Sequence, residues 1–155
     1  MEGAMHKGIS AVIVVVVGLL GITGCGGDSS ISKAEFDQQL ELVCNRGLKE
    51  REELLGKIAQ EYQGRDRNAT QKEQAEEQLV NIRKLMAVYR GTTEEIADIG
   101  LPDQKEKAAE DLVKAREEVV AKVESDPTRA LANASTIFAK ASKAAETFDV
   151  TSCAR

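Results

Sequence analysis

Three cysteines are the residues of this sequence whose type and position best suit covalent chemistry, namely Cys25, Cys44 and Cys153. Cys25 ends an apolar run without charge, Cys44 lies early in the polar region that follows, and Cys153 lies near the last residue. A thiol can carry a lipid, form a disulfide, bind a metal or act as a nucleophile. The residues around each cysteine decide among these roles.

The segment before Cys25 is typical of an export signal. Lys7 gives it a positive start, and residues 9–22 form an apolar run of 14 residues without charge. Such a run is short for a membrane span, which needs about 20 residues, but it fits the apolar region of a secretory signal. Met5 is an alternative start, because a chain that begins there keeps the same positive charge.

The sequence "ITGC" at residues 22–25 resembles a bacterial lipobox. The resemblance implies that the Cys25 thiol forms a thioether to diacylglycerol and that the signal is cleaved before Cys25. More than one acyl chain, palmitate among them, is needed for stable anchoring. Two alternatives stay open: an uncleaved signal anchor, and ordinary cleavage near Gly24 that leaves Cys25 as a free thiol.

The sequence thus predicts three parts: a lipoprotein signal peptide at 1–24, a flexible tether at 25–31 and a helical domain at 32–155. Glycine and serine dominate the tether, which suits a flexible linker. We expect the domain to lie on the extracytoplasmic face of the cell membrane. The lipid on Cys25 is then its contact with the membrane.

Composition favours helices in the domain. Removal of residues 1–24 leaves about 131 of the 155 residues, enough for one domain. Aromatic residues make up only 3%, tryptophan is absent, and proline occurs twice, whereas alanine, glutamate and lysine are frequent. The net charge of -5 argues against nucleic acid and anionic lipid surfaces as direct partners.

Four amphipathic stretches follow the tether, each with a recognisable start. The start signals are Ser32 with Glu35, Thr70 with Glu73, Asp103 with Glu106, and Asp126 with Pro127. Short connections between such helices favour antiparallel neighbours, so we predict an all-α fold, an up-down-up-down antiparallel four-helix bundle. Gly91 lies inside the second stretch and leaves open an alternative in which that stretch is split.

The apolar stripes of these stretches predict the core of the bundle. They include Phe36, Leu40, Leu55, Tyr62, Leu79, Ile82, Met86, Leu112, Ala115, Val119, Val123, Leu131, Phe138 and Phe148.

Cys44 and Cys153 are expected to form a disulfide. Export permits disulfides, and a fourth helix that runs antiparallel beside the first would return level with Cys44. The short segment after Phe148 could then bring Cys153 to Cys44. Two free thiols, or a bond between two chains, are the alternatives.

Little in the sequence suggests catalysis. The single histidine, His6, belongs to the predicted signal peptide, so the mature chain lacks the histidine of Ser-His-Asp and Cys-His enzymes. The sequence has no CxxC zinc motif and no glycine-rich phosphate loop. We therefore expect no catalytic residues, no cofactor and no metal. Adjacent glutamate pairs are interpreted as solvated helix faces, because neighbours on a helix diverge by about 100°.

Two segments resemble small helical secreted and lipoprotein families of high-GC Gram-positive bacteria. They are "FDQQLELVC", which ends at Cys44, and "FDVTSC", which ends at Cys153. The resemblance implies export, a helical fold and a terminal disulfide. It implies no catalytic residues.

Two functions agree with these observations. The first is a surface-anchored module that binds an envelope protein or polymer through a helix face. The second is a bundle that binds a small ligand or a lipid in a cavity among alanine-rich helices. Solvent exposure of Val80, Leu85 and Val88 would favour the first function, and an internal apolar cavity would favour the second.

Overall fold

The computed structural model describes residues 31–64 and 69–154, and five α-helices form most of them. The helices are α1 (Lys33–Gln63), α2 (Gln71–Ala97), α3 (Glu106–Ser125), α4 (Pro127–Ala132) and α5 (Ala134–Glu146). The predicted all-helical class is confirmed. The predicted signal peptide and the lipidation site Cys25 lie outside the described residues.

Three helices start where their capping residues predict. The Ser32 hydroxyl accepts a hydrogen bond from the backbone N–H of Glu35 (3.2 Å) at the start of α1. Thr70 and Glu73 form a complete capping box at the start of α2. Asp126 starts α4 by accepting a hydrogen bond from a backbone N–H three residues later (2.9 Å). Each cap satisfies backbone donors that a helix start leaves without partners.

The predicted cap of α3 is wrong, because that helix begins at Glu106 and not directly after Asp103. The backbone N–H of Asp103 donates to the carbonyl of Ile31 (2.8 Å), so this residue holds the chain before α1. Gln104 then takes a positive φ of 67°, which is incompatible with a helix.

The helical stretch that is divided is the fourth and not the second, where Gly91 had left a break open. Helix α2 runs through Gly91 without interruption, whereas the predicted fourth helix is divided at Asn133. The Asn133 side chain donates to the carbonyl of Arg129 (2.8 Å), and its backbone (φ -120°, ψ 22°) leaves the helical region. Asparagine favours such local bonds, which compete with the helix.

Helices α1, α2 and α3 pack with alternating directions. Arg46, in the first half of α1, forms an ion pair with Glu95 at the end of α2, and Lys84 lies 4.0 Å from Glu61 at the end of α1. The same reversal relates α2 to α3, because Arg116 of α3 bonds to Thr93, whereas Glu124, later in α3, pairs with Arg90, earlier in α2. Helix α3 contacts α5 as well, where Glu118 bonds to Lys140 at 2.8 Å. Helix α3 therefore lies between α2 and α5.

The predicted side-by-side packing of the first and fourth helices is not found. Among the described residues, no Cα of α1 lies within 8 Å of a Cα of α4 or α5. The tail after α5 crosses to α1 instead. It brings the Cα of Cys153 to 5.1 Å from that of Cys44, and the two sulfurs lie at disulfide distance. The predicted pair is therefore present, although the tail and not α5 itself makes the contact.

The buried residues form two clusters, one at each end of the domain. The first, called here the stapled end, surrounds the two cysteines and contains Phe36, Leu40, Cys44, Ile96, Ala109, Leu112, Ala145, Phe148, Val150 and Cys153. The second contains Met86, Ala115, Val119, Val123, Ala130 and Ala141. Its alanines let α3 and α5 pack closely.

Candidate functional site

An apolar cleft of about 190 Å³ opens beside the second cluster, between α1 and α2 on one side and α4 and α5 on the other. Its apolar lining residues are Leu55, Ile82, Leu85, Met86, Tyr89, Val123, Ala130, Leu131, Ala134 and Phe138. This part of the domain is called here the open end. The cleft exists because α1 does not pack against α4 or α5.

Two leucines form opposite lips of the cleft. Leu55 of α1 is 46% exposed and Leu131 of α4 is 56% exposed. Both lie on apolar stripes and were predicted to be in the core, so this part of the prediction is wrong. Exposure of large apolar side chains around a depression is a feature of binding sites. Tyr62, also predicted to be buried, is exposed in the last turn of α1.

Tyr89 and Phe138 border the cleft on opposite helices. Their rings meet edge to face, with centroids 5.5 Å apart. This arrangement is the preferred one for aromatic pairs. It fixes the orientation of Tyr89, whose ring also contacts a buried arginine.

Arg116 of α3 is only 4% exposed and carries a buried positive charge. Its Nε donates to the Thr93 hydroxyl (3.1 Å), and its guanidinium carbon lies 4.0 Å from the centre of the Tyr89 ring. Within residues 31–64 and 69–154, no carboxylate forms an ion pair with Arg116. Hydrogen bonding and a cation–π contact therefore hold this charge without a counter-charge.

A small cavity lies beside the Arg116 side chain, bordered by α1, α2, α3 and Ser152 of the tail. Its walls include Gly47, Arg51, Tyr89, Thr92 and Arg116. Its volume is about 30 Å³, which is room for about two water-sized groups. We call it the arginine cavity. It shares Arg51 and Tyr89 with the apolar cleft, so a polar space and an apolar space adjoin.

The two arginines oppose one another electrostatically. Burial lowers the pKa of Arg116, Tyr89 partly offsets this, and the charge of Arg51 lowers it further. Arginine nevertheless stays protonated in proteins. Burial also raises the pKa of Tyr89, against the opposite influence of the two arginines. Two positively charged side chains therefore border the arginine cavity.

The chain matches no protein-family model, no curated protein and no solved structure.

The residues singled out as indicators of function fall into different environments. Val80 is 46% exposed, whereas Leu85 and Val88 are half-buried. Leu85 lines the apolar cleft and Val88 lines the arginine cavity. Of these three residues, Val80 alone has the exposure that would favour a helix-face interaction. The apolar space that would favour a ligand is a cleft open to the surface and not the internal cavity named above.

The sequence did contain a signal for Arg116. Residues 112, 116, 119 and 123 follow the alternating four- and three-residue spacing of a buried helix face. Arg116 is the charged member of that series, next to Ala115, which was taken as the stripe residue. A charge at such a position is more informative than the apolar residues around it.

Among the described residues, no group of three or more histidine, cysteine, aspartate or glutamate side chains could hold a metal ion. In the same part of the chain, no helix is long and apolar enough to cross a membrane.

Proposed function

We propose that this protein is a membrane-anchored extracytoplasmic binding protein that holds an apolar ligand in the cleft at the open end. The observation that carries the proposal is the cleft itself, with an apolar floor and two exposed leucines as lips. Its volume exceeds the cavity of about 150 Å³ that binds benzene in an engineered protein. The proposal assigns binding and no catalysis, in keeping with the absence of histidine after residue 24.

The location outside the cytoplasm belongs to the same proposal. The lipobox-like "ITGC" sequence supports lipidation of Cys25, and the pairing of Cys44 with Cys153 supports an oxidising compartment. We also propose an up-down-up-down helix order in which α4 and α5 together form the fourth helix. The reversed contacts of α1 with α2 and of α2 with α3 support that order.

Ligand binding can be tested with 1-decanol, a neutral apolar probe. The full chain is labelled with 3-fluorotyrosine and carried in phosphatidylcholine nanodiscs, with empty nanodiscs as the blank. The sequence has only two tyrosines, so a Tyr62→Phe variant assigns the ¹⁹F signal of Tyr89 in the cleft wall. We expect decanol to shift the Tyr89 signal in a saturable manner.

Two leucine variants locate the binding. Leu131→Asp, at the lip, should weaken decanol binding about tenfold, because a charge desolvated beside an apolar ligand is unfavourable. Leu42→Asp is the matched control, since Leu42 is 64% exposed and lies outside the cleft. Equal binding by both variants, or an unsaturable shift in the wild type, would contradict the proposal.

Anchoring is tested separately through Cys25. Cells that express the wild type and Cys25→Ala are labelled with an alkyne fatty acid and fractionated. We expect the wild type to be labelled and to remain with the membrane, and the variant to lose both properties. Equal labelling of the two proteins would remove lipidation at Cys25 from the proposal.

A second function, an envelope-interaction module, is favoured by apolar residues outside the cleft. Leu42 and Val80 are the clearest examples, on α1 and α2 respectively. A photo-crosslinking residue at position 42 should then give one adduct of defined mass in intact cells. A crosslinking residue at position 52, which is also exposed on α1, is the control.

A further inference from the structure

We infer that the ligand is a single-chain fatty acid, with its carboxylate in the arginine cavity between Arg116 and Arg51 and its alkyl chain in the apolar cleft. This inference rests on the proposed binding function. It adds the chemical class of the ligand and assigns to Arg116 the role of positioning the ligand's carboxylate. Its first support is the unbalanced charge of Arg116.

A buried charge without a counter-charge is unfavourable in a folded protein. Arg116 is only 4% exposed to solvent. Among the described residues, no carboxylate forms an ion pair with its guanidinium group. A second positive side chain, Arg51, borders the same cavity. An anion in this cavity would offset the buried charge of Arg116.

The size of the cavity favours a carboxylate. Space for about two water-sized groups matches the two oxygens of a carboxylate and is small for a phosphate. Arginine binds carboxylates through two parallel N–H···O bonds, and the Nε of Arg116 is already used by Thr93. The two terminal nitrogens of the guanidinium are the donors that an incoming carboxylate would use.

The adjoining cleft determines what the carboxylate is attached to. Tyr89 and Arg51 line both spaces. An alkyl chain on a carboxylate at Arg116 would pass beside these two side chains to reach the apolar cleft. Ile82, Leu85 and Phe138 would contact an alkyl chain there. A free inorganic anion would leave these contacts unused.

The test compares sodium decanoate with 1-decanol in the ¹⁹F measurement described above. We expect decanoate to bind about tenfold more tightly than decanol, a difference of about 1.4 kcal/mol, because hydrogen bonds to a charged acceptor are stronger than those to a neutral one. The preference should disappear below about pH 4, where an aliphatic carboxyl group is protonated. Equal binding at pH 7 would overturn the inference and leave the apolar cleft intact as a site. Absence of binding by both probes would overturn the proposed function as well.

Arg116→Met provides the residue-specific test, because methionine removes the charge and keeps an unbranched side chain. We expect the variant to bind decanoate no more tightly than decanol. Arg90→Met is the matched control, since Arg90 is an exposed arginine of α2 that pairs with Glu124 and borders neither cavity. Retention of the preference in Arg116→Met would overturn the inference.

The same variant separates a binding role from a structural one. If Arg116 serves binding, its replacement by methionine should leave the melting temperature unchanged or raise it, because a desolvated charge has been removed. Should Arg116→Met fail to fold, the pH dependence of decanoate binding to the wild type decides the question alone. Decyl phosphate extends the comparison, and binding as tight as that of decanoate would overturn the assignment of a carboxylate.

Discussion

The stapled end and the open end differ in what fills the space between α1 and the last two helices, α4 and α5. At the stapled end, the tail after α5 enters that space, and the rings of Phe36 and Phe148 lie 5.1 Å apart. Leu40 is fully buried there. At the open end, the described residues leave the space between α1 and α4 unfilled, and Leu55 and Leu131 are exposed.

The contrast shows that an amphipathic stripe predicts a helix face but not the partner of that face. The stripe of α1 runs through both ends, yet only its first half is covered. Packing at the stapled end is reinforced by Lys105, whose ammonium donates to the carbonyl of Thr147 (2.7 Å). We therefore expect stability to depend mainly on the stapled end, and binding on the open end.

The largest effect should come from removal of the disulfide. Cys44 and Cys153 are separated by 109 residues, and closure of so long a loop stabilises a protein by about 4 to 5 kcal/mol in the chain-entropy model. Reduction should lower the melting temperature by roughly 10 to 20 °C and leave helical content and decanol binding unchanged. Circular dichroism melts with and without reductant test this. If reduction of the disulfide also abolished decanol binding, the division of stability and binding between the two ends would be wrong.

Truncation of one leucine in each half of α1 compares the ends directly. Leu40→Ala should lower the free energy of unfolding by about 3 kcal/mol, because it leaves a cavity in a packed cluster. Leu55→Ala should change it by about 0.5 kcal/mol or less, because the side chain is half exposed. Urea denaturation of both variants gives the two values. Similar losses would mean that the open end is as well packed as the stapled end.

Two glycines of α1 should respond to alanine with opposite signs. A Cβ at Gly47 would overlap the Thr92 hydroxyl and lie 2.9 Å from its methyl carbon, so either the Thr92 side chain or the two helices would have to shift. A Cβ at Gly56 would meet nothing within 4 Å. Gly47→Ala should therefore destabilise by about 1 to 3 kcal/mol, and Gly56→Ala should stabilise by about 0.5 to 1 kcal/mol. Thermal melts of the pair are sufficient, and a shared sign would contradict the close approach at Gly47.

The smallest effect concerns the acid dependence of the α2 start, at the open end. Hydrogen bonds from the backbone N–H and hydroxyl of Thr70 lower the pKa of Glu73 from its ordinary value of 4.5. The stabilisation is therefore present above pH 4.5 and is lost as the pH falls through the lowered pKa. The melting temperature of Glu73→Ala should lie below that of the wild type at pH 7, and the difference should shrink towards pH 3. Glu52→Ala, exposed within α1, is the control for removal of a glutamate from a helix surface.

Local signals made most of the helices predictable. Ser32, Thr70 and Asp126 cap helices as their spacing indicates, since a cap depends on residues within one turn. Asp103 fails as a cap because it bonds to Ile31, more than 70 positions away in the chain. The break at Asn133 was missed for another reason. The apolar spacing continues through Asn133, so it gives no indication that the Asn133 side chain donates to the carbonyl of Arg129.

The candidate site was less predictable than the fold. Leu55 and Leu131 lie on stripes that look like core, and only the absence of packing between α1 and α4 makes them the lips of a cleft. That absence is a tertiary property, which periodicity within a helix does not contain. Arg116 was visible in the sequence as a charge at a buried spacing, but its lack of a carboxylate partner depends on residues from three helices.

The disulfide also determines how the domain would respond to a pulling force. A force applied between Ile31 and Ala154 passes along α1 to Cys44, across the sulfur bridge to Cys153, and leaves residues 45–152 outside the loaded path. Extension is then limited to roughly 45 Å of chain before Cys44, compared with roughly 400 Å once the bridge is reduced. The residues that line the cleft all lie between positions 51 and 138 and would carry no tension, so a ligand held there would be mechanically insulated from movement of the tether.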